Sequence, residues 1–133
     1  MEKMPWLLKI LVSLWVGAMI GYAVKLLSSI TSVGVIGEEL SKLLGILLVG
    51  KLIGRRETSD GLMVGVGFGI TESVLYYTNV LVSGNVAAVG LRLLFTLPMH
   101  GATGALSARY RYGIVAAIII HVVFNYVVSS VGI

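Results

Sequence analysis

Six side chains able to do chemistry lie inside strongly apolar stretches of this chain. They are Glu38, Glu39, Glu72, His100, His121 and Asn125. A carboxylate at the centre of a membrane helix costs roughly 2.5–3.5 kcal/mol on insertion scales, so it must be offset by pairing, metal binding or hydration. Carboxylates and imidazoles together can take a proton from water, hold a divalent ion or stabilise an oxyanion. The residue types therefore predict a polar active site surrounded by apolar helices.

Spacing indicates which of these groups share a helical face. Glu38 and Lys42 are one helical turn apart, so the ammonium can partly neutralise the carboxylate. Glu39 is turned about 100° from Glu38 and can serve a different partner. His121 and Asn125 are also one turn apart, which suits a ligand or base beside an amide that donates to an oxyanion. Two adjacent acids with different orientations predict two different roles.

Composition places the chain among integral membrane proteins. The mean hydropathy is +0.99, and only 12% of residues are charged, against about a quarter in soluble domains. The 133 residues have room for about five spans of roughly 20 residues with short connections. We expect one transmembrane domain, residues 1–133, with no soluble domain beside it. The absence of cysteine excludes thiolate nucleophiles, thiolate-bound zinc and disulfides.

Five apolar runs are the elements that would position the polar groups. They cover residues 6–27, 32–53, 62–82, 86–108 and 114–128. Their length favours membrane-spanning helices over strands, and the first is interpreted as a retained helix and not as a signal peptide. The predicted fold is therefore all-α, a multi-pass helical bundle in the lipid bilayer of the cell membrane.

Basic residues mark alternate connections between these runs. They are Lys3, Lys9, Lys51, Arg55, Arg56, Arg109 and Arg111. The intervening connections and the C-terminal tail carry no charge, so the positive-inside rule predicts a cytoplasmic N-terminus and an external C-terminus. Because these span ends explain the net charge of +4, no nucleic-acid partner is expected.

Counting along the runs places the polar groups at similar depth. At 1.5 Å of rise per residue, Glu38 and Glu39 lie about 10 Å below the outer end of their helix, Glu72 and His121 about 15 Å, and His100 about 20 Å. All five are expected to meet near the bilayer midplane, displaced toward the outside. Four helices would thus direct acids, histidines and an amide to one place.

Other residues in the apolar segments have structural interpretations. Lys25 is expected to snorkel to the interface, and Arg92 either snorkels or pairs with an acid. A stripe of small residues on the third run is predicted to let another helix approach closely. It consists of Gly61, Gly65, Gly69 and Ser73.

Four motifs follow one another between residues 37 and 125. They are Glu38-Glu39-x-x-Lys42, Gly67-Phe68-x-x-x-Glu72, Pro98-x-His100 and His121-x-x-x-Asn125. Their types and order resemble the PrsW family of intramembrane proteases, relatives of the CAAX prenyl endopeptidases. The resemblance implies a membrane-embedded, usually metal-dependent protease that cuts a single-span membrane protein, such as an anti-sigma factor, from the outer side. The chain departs from the family in carrying Ser73 where Asn is common, and in being shorter than most members.

Carried over motif by motif, the resemblance implies that all six polar residues named first belong to a hydrolytic site. In a metal-dependent version, His100, His121 and Glu72 would hold a divalent ion, with zinc the default for nitrogen and oxygen ligands, and the ion would acidify a water molecule. Glu38 would take the proton, and Glu39 would fix a histidine tautomer or complete the site.

A metal-free version uses the same residues differently. Glu38 and His100 would activate the water, and His121 with Asn125 would stabilise the oxyanion. The sequence leaves both versions open. It excludes an aspartyl dyad, because the only aspartate is Asp60, and it contains neither Gly-x-Ser-x-Gly nor His-Glu-x-x-His.

Two non-protease functions also remain open. By the same resemblance, the superfamily includes a gamma-secretase scaffold subunit that does not itself cut peptides, so the chain could be a scaffold or assembly subunit. A proton-coupled transporter is the other alternative, because acids and histidines also form proton relays. A protease of five helices could require a homo-oligomer to form a substrate groove.

Overall fold

The computed structural model describes residues 4–28, 34–54, 56–83 and 86–130, without the side chains of residues 78–83, 86, 88, 89 and 92. Within these ranges the chain forms five helices and no strand, so the all-α prediction is confirmed. The helices are α1 (Trp6–Ser28), α2 (Val35–Ile53), α3 (Thr58–Ser83), α4 (Val86–Arg109) and α5 (Gly113–Ser130). The expectation for Arg92 concerns a side chain outside this description.

The start of α3 differs most from the predicted runs. The helix begins at Thr58, one turn before the predicted apolar run, because Asp60 caps it. Its Oδ2 accepts a hydrogen bond of 2.9 Å from the backbone N–H of Glu57, as in the reciprocal half of a capping box. Ser13 of α1 donates to the other carboxylate oxygen at 3.5 Å. Hydropathy could not indicate this turn, since its residues are polar.

Glycines place α3 between α1 and α4. Gly61 and Gly65 face the α4 backbone at Gly104 and His100, and Gly67 faces the backbone of α1. A Cβ atom at any of these three positions of α3 would overlap the neighbouring main chain, so only glycine permits this approach. The packing role predicted for the small-residue stripe is confirmed at Gly61 and Gly65.

Helix α2 is the element that contacts all four others. Helix α5 packs against α4 and α2. Side chains on α2 can therefore reach groups on every other helix, which decides how the polar residues meet.

The two ends of the bundle are filled differently. One end holds an apolar cluster that includes Val16, Ile46, Val49 and Val64. At the other end, the largest fully buried side chains include Lys42, His100, His121 and Glu39. Charged groups therefore occupy the interior of one half of the molecule.

The outer surface of the bundle is apolar. Trp15, Leu44 and Leu94 are each about two-thirds exposed, and many other large apolar side chains share this outward position. Among the described residues, α1 and α5 are long and apolar enough to cross a membrane. These features indicate a helical membrane protein. Five spans and the in-to-out orientation stay predictions.

Candidate active site

Seven ionisable side chains from all five helices form one connected cluster at the polar end of the bundle. This cluster is called the polar ring below. It consists of Lys25, Glu38, Glu39, Lys42, Glu72, His100 and His121.

Helix α2 supplies three members of the ring from its N-terminal half. Glu38 lies in the first turn of the helix, where the unpaired backbone N–H groups favour a negative charge. Glu39 and Lys42 are one turn apart on the inward side of α2, and both are fully buried. The adjacent acids therefore point in different directions, as their spacing predicted.

The buried half of the ring is built around Glu39 and Lys42. His121 Nδ1 donates to Glu39 Oε1 at 2.6 Å, and the Lys42 ammonium donates to the same oxygen. Lys42 Nζ also donates to Thr103 Oγ1 at 2.8 Å and to His100 Nδ1 at 3.0 Å. Because an ammonium group only donates, this network assigns the His100 proton to Nε2. Lys42 thus uses all three of its donors on buried partners.

The second half of the ring runs along its accessible side. His100 Nε2 donates to Glu72 Oε2 at 2.5 Å. Lys25 Nζ lies 3.2 Å from Glu72 Oε1 and 2.7 Å from Glu38 Oε1. The circuit closes where Glu38 Oε2 faces His121 Nε2 at 3.6 Å, beyond hydrogen-bonding distance. This step of the ring has no direct hydrogen bond.

Exposure distinguishes the two halves. The side chains of Glu39, Lys42 and His100 are inaccessible to solvent, whereas those of Glu38, Glu72 and Lys25 are 9%, 12% and 23% exposed. A water molecule or substrate would therefore approach from the accessible half.

The partner predicted for Lys42 was wrong, and Lys25 has ion pairs that the sequence did not predict. Lys42 pairs with Glu39, three residues away, and not with Glu38. Lys25 pairs with two acids of the cluster instead of only snorkelling. The rotation of α2 explains the first result, because it turns Lys42 inward with Glu39 and leaves Glu38 facing α1.

A group able to hold a metal ion lies within the ring. Glu39, His100 and His121 each offer a ligand atom, and these atoms lie within 4.8 Å of one another. Glu39 Oε2 is buried and has no hydrogen-bond partner among the described residues, which leaves a carboxylate oxygen available. Two imidazoles and a carboxylate suit zinc. The residues present therefore fit a divalent ion.

The carboxylate in this group differs from the one predicted. The sequence prediction combined the histidines with Glu72, whereas the geometry combines them with Glu39, and Glu72 bonds to His100 Nε2. Both nitrogens of His100 already have partners, so binding an ion would require it to exchange Lys42 or Glu72. Depth counting could not separate the two acids, because both lie in the same layer.

Asn125 stands apart from the ring. It lies one turn beyond His121 on α5, it is exposed, and no hydrogen bond joins its side chain to another described residue. Its predicted role in binding an oxyanion therefore depends on a substrate and stays a prediction. The catalytic roles of the other five predicted site residues likewise stay predictions, although the fold brings those five together.

Phe68 and Thr103 border the buried half. The centroid of the Phe68 ring lies 5.2 Å from that of His100 and 5.4 Å from Lys42 Nζ. Thr103 was missed by sequence reasoning, although it lies one turn beyond His100 on α4 and shares its face.

Lys25 was also missed as a site residue. A signal for it was present, because it is three residues from the end of α1 and Glu38 is three residues from the start of α2. Consecutive helices joined by a short connection bring such positions to equal depth.

Comparison with known proteins finds a matching family. A family model described as PrsW family intramembrane metalloprotease matches residues 6–133, which includes α1 as well as the four motifs. No curated protein and no solved structure matches the chain.

Proposed function

This chain belongs to the PrsW family of intramembrane metalloproteases, and from that membership we propose that its polar ring hydrolyses a peptide bond in a single-span membrane protein. The proposed substrate is of the anti-sigma-factor type. The observation that carries the proposal is the meeting of three glutamates and two histidines from four helices in one cluster. Hydrolysis needs groups that move protons and stabilise charge, and this cluster supplies both.

Glu38 is the proposed general base. Its Oε1 accepts from Lys25, but Oε2 has no hydrogen-bond donor among the described residues. This oxygen lies on the accessible half of the ring, where it can take a proton from an attacking water molecule. Glu39 cannot have the same role, since it is fully buried and holds His121 and Lys42.

Glu39, His100 and His121 are the residues that would hold a divalent ion, with zinc the default. When bound, such an ion would supply Lewis acidity toward water and a peptide carbonyl. Glu39 accepts the Nδ1 proton of His121 and so leaves the Nε2 lone pair of that ring available. Lys42 and Thr103 keep His100 in place from the buried side.

In the metal-free version, Asn125 and an imidazolium form of His121 make up the proposed oxyanion site. They share one face of α5, and the exposed Asn125 amide can donate to a substrate oxygen. In a metal-free reaction, Glu38 and His100 would activate water, and the same pair on α5 would stabilise the tetrahedral intermediate. Both versions need Glu38 as the proton acceptor.

Glu38→Gln tests the proposal. Glutamine keeps the length of the side chain and can still accept from Lys25, but it cannot take a proton from water. Cleavage of a co-expressed single-span membrane protein should fall by roughly 10²- to 10⁴-fold, the usual contribution of a general base. Cleavage and membrane yield are measured together by immunoblotting.

Glu57→Gln is the matched control, because Glu57 is a partly exposed acid before α3, at the other end of the bundle. It should leave cleavage unchanged. Equal cleavage by the two variants, or no cleavage of a substrate that the wild type binds, would favour the scaffold function. Proton flux that depends on Glu38 in the absence of any cleavage would favour a transporter.

A further inference from the structure

A lysine outside the four motifs joins Glu38 to Glu72 in the polar ring. We infer that Lys25 of α1 is a positioning residue of the hydrolytic site, which holds Glu38 and Glu72 in place from the accessible side. This inference rests on the proposed function. It makes α1 a part of the site and not only a membrane anchor.

The contacts of Lys25 carry the inference. Its ammonium lies 2.7 Å from Glu38 Oε1 and 3.2 Å from Glu72 Oε1, so one cation bridges two acids from different helices. Two carboxylates brought together in a medium of low dielectric repel each other strongly unless a cation lies between them. Lys25 offsets this repulsion at the place where water would be activated.

The hydrogen bond from Lys25 also orients Glu38, the proposed base. A lysine bound to Glu38 Oε1 leaves Oε2 directed toward His121 Nε2, at 3.6 Å. The carboxylate therefore presents one defined oxygen to a water molecule instead of sampling several rotamers. Fixing a proton acceptor in this way is a contribution to catalysis through orientation.

The register between α1 and α3 delivers Lys25 to this position. Gly17 packs against Val64 and Gly21 packs against Phe68, each so closely that a Cβ atom would meet the α3 main chain. One turn further along both helices, Lys25 meets Glu72. Helices α1 and α3 thus run parallel, with a constant residue offset between contacting positions.

Ser13 and Asp60 continue the same register in the other direction. They are hydrogen-bonded and separated by 47 residues, the same offset that joins Lys25 to Glu72. The position of the lysine is therefore set along most of α1. A lysine that only extended its ammonium group to the membrane–water interface would not require this constant offset between α1 and α3.

The test measures steady-state kinetics of Lys25→Met and Lys25→Arg. The substrate is a single-span anti-sigma-factor-type protein, labelled at both termini and reconstituted with the wild-type or variant chain in lipid vesicles. For Lys25→Met, kcat should fall roughly 10- to 100-fold, the usual effect of losing a residue that orients catalytic groups without contacting the substrate. KM should change little. Lys25→Arg, which keeps the cation, should restore most of kcat.

Lys9→Met is the matched control. Lys9 is on the same helix, its side chain is 17% exposed, and it pairs with an acid at the other end of the bundle. It should keep kcat. Equal kcat for Lys25→Met and Lys9→Met, with Glu38→Gln inactive, would overturn the inference and leave the proposed function standing.

A double variant separates positioning from a structural role. If Lys25 acts through Glu38, adding Lys25→Met to Glu38→Gln should reduce kcat little further, because the oriented group is already absent. A full additional loss in the double variant would contradict the inference. Should Lys25→Met fail to accumulate, Lys25→Gln takes its place in the same comparison. An inactive wild type would reject the proposed function, and the inference with it.

Discussion

Glu38 and Glu39 illustrate how neighbouring residues of one type acquire different chemistry. A rotation of about 100° along α2 separates their directions. Glu38 faces Lys25 and keeps some exposure, whereas Glu39 is fully buried against His121 and Lys42. Breaking a buried pair leaves an uncompensated charge, which costs about 3–5 kcal/mol. Glu39 therefore combines structural and chemical roles that Glu38 does not share.

Metal binding by the candidate group can be tested by replacing its residues one at a time. His121→Ala and His100→Ala should each lower bound zinc at least tenfold, because each removes one of the three nitrogen and oxygen donors of the candidate group. Elemental analysis of the detergent-purified protein is the measurement, with about one ion per chain expected for the wild type.

Glu57→Gln, far from the ring, is the control and should retain the wild-type metal content. Chelator should remove both the metal and the activity from the wild type. Full cleavage by thoroughly demetallated protein would instead favour the version in which Glu38 and His100 activate water.

At the scale of the helices, glycine contacts determine where the site residues lie. Gly65 faces the carbonyl group of His100, and Gly69 faces the His100 side chain. The position of the histidine on α4 therefore depends on residues of α3 that have no chemistry of their own.

Gly65→Ala should destabilise the protein by about 1–3 kcal/mol, the usual cost of overpacking, because its Cβ would overlap the His100 backbone. The gain in helix propensity from glycine to alanine, about 0.5–1 kcal/mol, is smaller and of opposite sign. Cleavage should fall as well, since α4 must move and carry His100 with it. Unfolding in detergent measures the first effect.

Gly90→Ala provides the comparison on α4. A Cβ atom there has nothing within 4 Å among the described atoms, so the variant should be as stable as the wild type or more so. Equal loss of stability in the two variants would contradict the role given to close packing.

At the scale of the molecule, the bundle separates two kinds of interior. The apolar cluster around Val49 and Val64 supplies hydrophobic packing at one end, and the polar ring occupies the other. Burial of charge is tolerated in the second half because each carboxylate of the ring contacts at least one cation or imidazole. Apolar packing and the polar ring are thus located in different halves of the fold.

Topology is a prediction for the whole chain. The alternating basic connections should place a reporter fused at the C-terminus outside the cell and one inserted near residues 55–60 inside. The polar ring would then lie toward the outer side. A C-terminal reporter that reacts only with cytoplasmic reagents would contradict the five-span arrangement.

Local properties of the sequence were sufficient to predict the class of fold and to predict that the site residues lie at similar positions along the bundle. Hydropathy and run length predicted five helices, with an error at α3 where Asp60 caps a polar turn. Counting residues along these helices brought Glu72, His100 and His121 to one depth. Both inferences depend only on helical rise and on the apolarity of consecutive residues.

Only the tertiary structure decided which groups pair. Lys42 was predicted beside Glu38, but it bonds to Glu39, and Glu38 bonds to Lys25 from α1. These partners depend on how far each helix is rotated about its axis. That rotation is set by contacts between distant residues, such as Gly45 of α2 with Ile20 and Val64, and Gly21 of α1 with Phe68. Depth is a property of one helix, whereas the choice of partner is a property of the packed bundle.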